Sequence, residues 1–323
     1  MKKYIITDKA FYSEALMIVL PVVLQAIINQ GVNMMDTIMV GKLGEAAISA
    51  SSLANQFYNI YTFLCMGLSA AGLVLAAQYW GAGDKVTVRK VFDILIQIIF
   101  AASTLFAILS LALPRQIISL YTNDQEVIAA GAGYLRITAL VYLPHGIALV
   151  ISNIMRSVGN ARIGLYVSLA SFFVNIGCNY VFIFGKLGFP AMGVSGAALG
   201  TLCSRAVEFG VCTFFVLVID RKLCYRPTRL LRQPEKPLLR EFIRLGLPAI
   251  ISDTILAFAS SAIGMILGHM GREFVSAYSI VSVVDRMCTL ATSGVGSAAG
   301  IMVGQSVGAG EAAEAKRRGF SFL

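Results

Sequence analysis

Charge is scarce in this sequence. Only 13% of its 323 residues are Asp, Glu, Lys or Arg, against about 25% in soluble domains. So few charges cannot cover a water-facing surface, which excludes a soluble globular protein. Histidine is scarcer still, with His145 and His269 alone and no set of Cys, His or Glu beside either, which argues against a metal site. The six cysteines have no C-x-x-C spacing and mostly fall in apolar runs, so they read as small packing residues. No small-residue cleavage pattern follows the basic Met1–Lys9 segment, and the first apolar run is expected to be retained as a span. Gly294–Gly300 has the look of a dinucleotide loop but lies inside an apolar span with no strand before it. It reads as close helix packing, and Gly81–Asp84 as a turn. No His/Asp/Ser grouping converges on the apolar segments, so neither an enzyme nor a cofactor is expected.

What is present is apolar length. Hydrophobic residues make up 57% of the chain, and the mean hydropathy is +0.77. Runs of roughly 20 residues long enough to cross a bilayer predict spans near 11–38, 47–79, 88–113, 127–154, 161–185, 191–219, 241–267 and 273–305. The expectation is an all-α integral membrane protein of about eight transmembrane helices. With the N-terminus on the cytoplasmic side of the plasma membrane, 19 of the 26 Lys and Arg residues fall on inside segments and four on outside turns. That asymmetry follows the positive-inside rule and accounts for the net charge of +9 without nucleic acid. The basic stretch 220–244 reads as a solvated linker, with anionic lipid headgroups as the alternative contact.

The chain also resembles itself. A shift of 227 residues aligns 11–84 with 238–311, with 16 identities in 74 positions. Leu20-Pro21 falls on Leu247-Pro248, and Gln78 with Gly81-Ala82-Gly83 falls on Gln305 with Gly308-Ala309-Gly310. Prolines and turn glycines sit where backbone geometry demands them, so their register carries more weight than matched leucines. Six spans separate equivalent points, which makes the repeat parallel, about an axis along the membrane normal. The organisation expected is a six-helix lobe over 1–219, a cytoplasmic basic linker over 220–237, and the first two helices of a second lobe over 238–323. The second copy stops as its third span should begin, so a complete form is expected to have about twelve spans and roughly 450 residues, twice the repeat.

Polar groups inside a membrane are costly and need a reason. The first span carries Gln25, Asn29, Asn33 and Asp36 along one helical face. The second adds Asn55 and Asn59, the fourth Asn153, and the fifth Asn175 and Asn179. The repeat copy has Ser252, Leu256, Ser260 and Ile263 where the first span has its stripe, which points to a specialised site in the first lobe. An ionised carboxylate at membrane depth costs roughly 2.5–3.5 kcal/mol. Asp36 must therefore pair, bind a cation or take up a proton, and amide oxygens of Asn175 and Asn179 suit the shell of a hard cation such as Na+. The bland alternative is that Asp36 caps the outer end of its helix near water. Pro21 sits mid-helix and is expected to bend it. Asp253 on the seventh span is a weaker candidate. Arg205 and Glu208 at i, i+3 read as a structural ion pair, while the adjacent Asp285 and Arg286 point to different faces.

The segment Met35-Asp36-Thr37-Ile38-Met39-Val40-Gly41-Lys42-Leu43-Gly44 after the proline-bearing first helix resembles the multidrug and toxic compound extrusion family. So do Gln78–Gly83, Arg156–Arg162, Asn175–Gly185 and Gly193–Thr201, whose order covers essentially the whole chain. The resemblance implies a twelve-helix antiporter of two six-helix lobes that exports organic, often cationic compounds against a Na+ or H+ gradient. It also implies an acidic residue at the position of Asp36, and it adds Thr201 to the candidate set. Some relatives place Asn and Asp where this chain has Asn175 and Asn179, so a two-carboxylate site is not expected here. Two other readings remain at this point: a lipid-linked oligosaccharide flippase of the same broader fold, which a basic central cavity would favour, and an inactive fragment.

Overall fold

The computed structural model describes residue 6 and residues 8–227, 233–270 and 272–322; of these, the side chains of 257, 261, 264, 265, 267–270, 272–288 and 291 lie outside the description. Helices α1 (Lys9–Gly41), α2 (Glu45–Gly81) and α3 (Lys85–Ala112) come first, and a short α4 (Pro114–Ser119) follows them. Then come α5 (Gln125–Thr138), α6 (Tyr142–Ser157), α7 (Arg162–Phe184) and α8 (Gly193–Phe214), the last continued by a π-turn over Phe215–Ile219. Helices α9 (Lys236–Met270), α10 (Arg272–Gly308) and α11 (Ala312–Ser321) complete the order. Among the described residues six helices are long and apolar enough to cross a membrane, and α5 with α6 makes a seventh span if the bent pair counts as one. Helix α10 covers the eighth predicted span, 273–305, without being counted among these.

Helix ends follow local chemistry. Asp8 caps α1 by accepting from the Ala10 amide at 3.0 Å, and Asp124 caps α5 by accepting from Glu126 N at 2.9 Å. Asp84 caps α3 through Thr87 N and the Thr87 hydroxyl, at 3.0 and 2.5 Å. Those bonds hold its carboxyl below the usual carboxylate value. Helix α1 runs unbroken through Pro21, which leaves the Met17 carbonyl without its helical donor.

The fourth predicted span is not one helix. It breaks between Thr138 and Tyr142, and the two pieces meet at 53°. Pro144 withholds the donor that the Leu140 carbonyl would receive, and the chain tightens there into Leu140 N to Ile137 O and Val141 N to Thr138 O bonds of 3.2 and 2.9 Å. Side chains from neighbouring helices seal the break. Tyr61 Oη donates to the Tyr142 carbonyl at 2.6 Å and lies 2.8 Å from Ser103 Oγ.

The repeat is visible in the helix bounds: α2 and α10 are offset by 227 residues at both ends, α1 and α9 start with the same offset, and so do α3 and α11. Cross-contacts obey it too. A Cβ on Gly67 would meet the Ile250 backbone, and one on Gly294 would meet Val23, which is the same pair after the shift. Near the other end of these helices, Gly81 lies against the Gln305 backbone and Gly308 against the Gln78 backbone. Only glycine permits these reciprocal approaches. At the start of the expected linker, Arg221, Lys222 and Arg226 are exposed but the backbone is tied down. Asp220 accepts from Leu223 N, Cys224 N and Asn160 Nδ2 at 2.9, 3.2 and 3.3 Å. Leu223 and Tyr225 are buried, so residues 220–225 are folded onto the bundle.

Candidate functional site

Two helices build the centre of the site. Asp36 stands in the last third of α1, and Asn175 and Asn179 stand one turn apart on α7, both fully buried. Asn179 Nδ2 donates to Asp36 Oδ1 and also to Asn175 Oδ1, the second at 3.1 Å. Asn179 Oδ1 and Asn175 Nδ2 are buried with no partner. One amide donor is thus shared by two acceptors, while an acceptor and a donor beside it go unused, an arrangement that a buried polar cluster does not keep without a reason.

Helix α8 supplies the wall behind this cluster. A Cβ on Gly200 would fall on Asn179 Oδ1, so the glycine lets α8 close on α7 and fixes the space left to the amide. Thr201, the next residue, lies on α8 where it packs against α5, and the hydroxyl of the buried Tyr134 on α5 donates to Asn55 Oδ1 on α2 at 3.3 Å. Tyr134 also lies within electrostatic reach of Asp36. Asp36, Asn175 and Asn179 are therefore brought together, with Thr201, Tyr134 and Asn55 as a second tier.

Other expected residues stand apart. Gln25 accepts from Arg156 Nη2 at 3.1 Å and packs on Gly164, near the opposite end of α7. Asn33 is exposed, and its backbone carbonyl accepts from Thr37 Oγ1 at 2.9 Å. Asn153 Nδ2 is spent on the Leu149 carbonyl one turn back, at 3.1 Å. The stripe on the first helix is thus one sequence face but not one site. Half-buried Asp253 faces Gly67 on α2, away from the Asp36 cluster. The side chains of Asp285 and Arg286 lie outside the described residues.

His145 has one carboxylate neighbour that its sequence surroundings do not reveal. The break before α6 delivers it 3.9 Å from Glu208 Oε2, and Arg205 Nη1 holds both Glu208 oxygens at 2.7 and 2.8 Å. Tyr58 stacks beside His145 with ring centroids 5.6 Å apart. Pro144 was the one sequence signal for this junction. No group of three or more His, Cys, Asp or Glu able to hold a metal ion occurs among the described residues.

Comparison with known proteins supplies the family. The MatE family model matches residues 21–181 and 248–323. The chain is 28% identical over 307 residues to the "Probable multidrug resistance protein NorM" of Agrobacterium fabrum, covering 93% of this chain and 64% of that protein. It is 27% identical to the protein of that name in Thermotoga maritima, over 92% of this chain and 63% of the relative. It thus spans a little under two thirds of the length of these curated relatives. In three dimensions it superposes on a MOP superfamily transporter from Pyrococcus furiosus with a TM-score of 0.84 at 20% identity, covering 96% of this chain and 68% of the other. An outward-facing multidrug resistance MATE family transporter gives 0.82 at 19% identity, again over 96% and 68%. With its helical membrane architecture and a family match over most of its length, the chain belongs to the MatE family of multidrug and toxic compound extrusion transporters.

Proposed function

We propose that this chain carries the coupling site of a secondary antiporter that exports organic, often cationic compounds in exchange for Na+ or H+. The observation that supports this most is the Asp36–Asn179–Asn175 cluster with its unused amide oxygen and amide donor. With Asp36 ionised, the Asn179 NH2 group faces it and satisfies the charge. Turning that amide over presents Asn179 Oδ1 to the Asp36 and Asn175 oxygens, and three converging oxygens require a proton or a hard cation among them. The site thus has two self-consistent arrangements, one empty and one loaded, as a coupling site needs. Its acidic, amide-rich character favours a cation over an anionic lipid-linked sugar. The name carried by the NorM relatives, multidrug resistance, supports a small organic substrate.

Residues 1–219 serve in this reading as one six-helix lobe, 220–237 as a cytoplasmic linker, and 238–323 as the start of a second lobe in contact with membrane lipid. The intact transporter, reconstituted in liposomes, should move a cationic dye such as ethidium when either a Na+ or an H+ gradient is imposed alone. Dye movement indifferent to both gradients would overturn the antiport reading.

Orientation gives a separate expectation. The basic residues place the α2–α3 turn in the cytoplasm and the α7–α8 turn outside, and Lys85 and Lys186 are exposed on these two turns. In intact cells and a cysteine-free background, Lys186→Cys should react with an impermeant thiol reagent and Lys85→Cys should not. The opposite pattern would invert the topology.

A further inference from the structure

Three charges in the first lobe form one electrostatic set. Arg205 follows Gly200, the glycine packed on the Asn179 that donates to Asp36, by five residues on α8, about 7.5 Å along the helix axis, so its charge acts on Asp36 as well as on Glu208. Glu208 holds the guanidinium through one nitrogen, Nη1 at 2.7 and 2.8 Å from its two oxygens, while Arg205 Nε is buried with no partner, and both side chains are largely buried. The other titratable groups facing the pair are Tyr58 from α2, His145 from α6 and Cys212 from α8 itself. His145, at 3.9 Å, is beyond hydrogen-bond reach of Glu208, and neither of its nitrogens has a partner. Arg205 Nη1 is the closer partner of the Glu208 carboxylate, at 2.7 and 2.8 Å against 3.9 Å for His145.

Charge balance then has a consequence. Arg205 and Glu208 cancel, so Asp36 is left with one uncompensated negative charge, which one monovalent cation neutralises. Without Glu208, Arg205 itself would become the counter-ion of Asp36, and the site would be neutral while empty. We infer that Glu208 is a positioning residue for coupling: by holding and neutralising Arg205, it keeps Asp36 receptive to a single monovalent cation. The inference rests on Asp36 being the coupling carboxylate and adds what reserves it for the ion. An ion pair at i, i+3 on one helix that merely supported packing would not set the ion requirement.

The test measures, in the reconstituted intact transporter, the Na+ or H+ concentration that half-activates ethidium efflux. Glu208→Gln should raise it by about tenfold or more, because a buried unit charge is newly unbalanced. Arg205→Gln should lower it, since Asp36 then shares its surroundings with a second free carboxylate. The double variant is neutral at both positions and should return to within about threefold of the parent. If Glu208→Gln does not accumulate in the membrane, Arg205→Gln and the double variant still give opposite and near-parental values. A half-activating concentration unchanged in Glu208→Gln, or no return in the double variant, would overturn the role of Glu208. Asp36→Asn run in parallel separates the two ideas. If Asp36→Asn loses ion dependence while Glu208→Gln keeps the parental value, only the present inference fails. If Asp36→Asn keeps its ion dependence, the coupling site itself is elsewhere.

Discussion

Asp36→Asn in the intact transporter is expected to reduce ion-driven efflux to the level of protein-free liposomes, with membrane abundance near that of the parent. Asparagine matches aspartate in size and keeps an oxygen that Asn179 Nδ2 reaches, so packing between α1 and α7 is preserved. It cannot ionise, so it has no charge to exchange between a cation and the NH2 group of Asn179. Stability should change by no more than about 1 kcal/mol, because losing an ionised group at membrane depth offsets the loss of a charge-assisted hydrogen bond. Asn175→Ala removes one neutral oxygen and should weaken the ion dependence less, by about tenfold or below, in line with one hydrogen-bond-strength contact. Efflux by Asp36→Asn with an unaltered response to Na+ and H+ gradients would make Asp36 a structural residue and direct attention to Asp253.

Most of the architecture was legible because a bilayer imposes length. Each of α1, α2 and α3 begins and ends within a few residues of a predicted span, and the starts of α9, α10 and α11 follow those of α1, α2 and α3 by 227 residues, the shift at which the sequence aligns with itself. The fourth span was misread as continuous because hydropathy does not register the Pro144 break: residues on both sides are equally apolar. What that break accomplishes, the delivery of His145 to Glu208, depends on the 53° turn between α5 and α6 and not on composition. The site was legible in part for a related reason. Spacing places Asn175 and Asn179 on one face of α7 and Asp36 on one face of α1, but it does not say which faces meet. Gln25 and Asn33 share the Asp36 stripe, yet Gln25 is drawn to Arg156 and Asn33 faces outward. Tyr134 and Asn55 belong to the site only because α5 and α2 cross there.

Gly200 is the position where the fold and the proposed coupling site are most directly joined. The stretch Gly193–Thr201 is rich in small residues, which by itself signals only close helix packing. In the structure the space beside Gly200 is occupied by the Asn179 carboxamide, the group that links Asp36 to Asn175. A methyl group there forces either Asn179 off Asp36 or α8 away from α7. Overpacking of this kind costs about 1–3 kcal/mol. Rotation of one amide is the smaller adjustment, so the ion site takes most of the damage. Gly200→Ala should therefore accumulate in the membrane but raise the Na+ or H+ concentration for half-maximal efflux by about tenfold, the range expected when a charged group loses its main hydrogen-bond donor. Gly210 lies ten residues further along the same helix and has nothing within 4 Å of an added Cβ. Gly210→Ala should keep the parental ion dependence and control for the helix-wide effect of replacing glycine by alanine. If both variants behave alike, Asn179 does not set the affinity of the site, and its contact with Asp36 is packing alone.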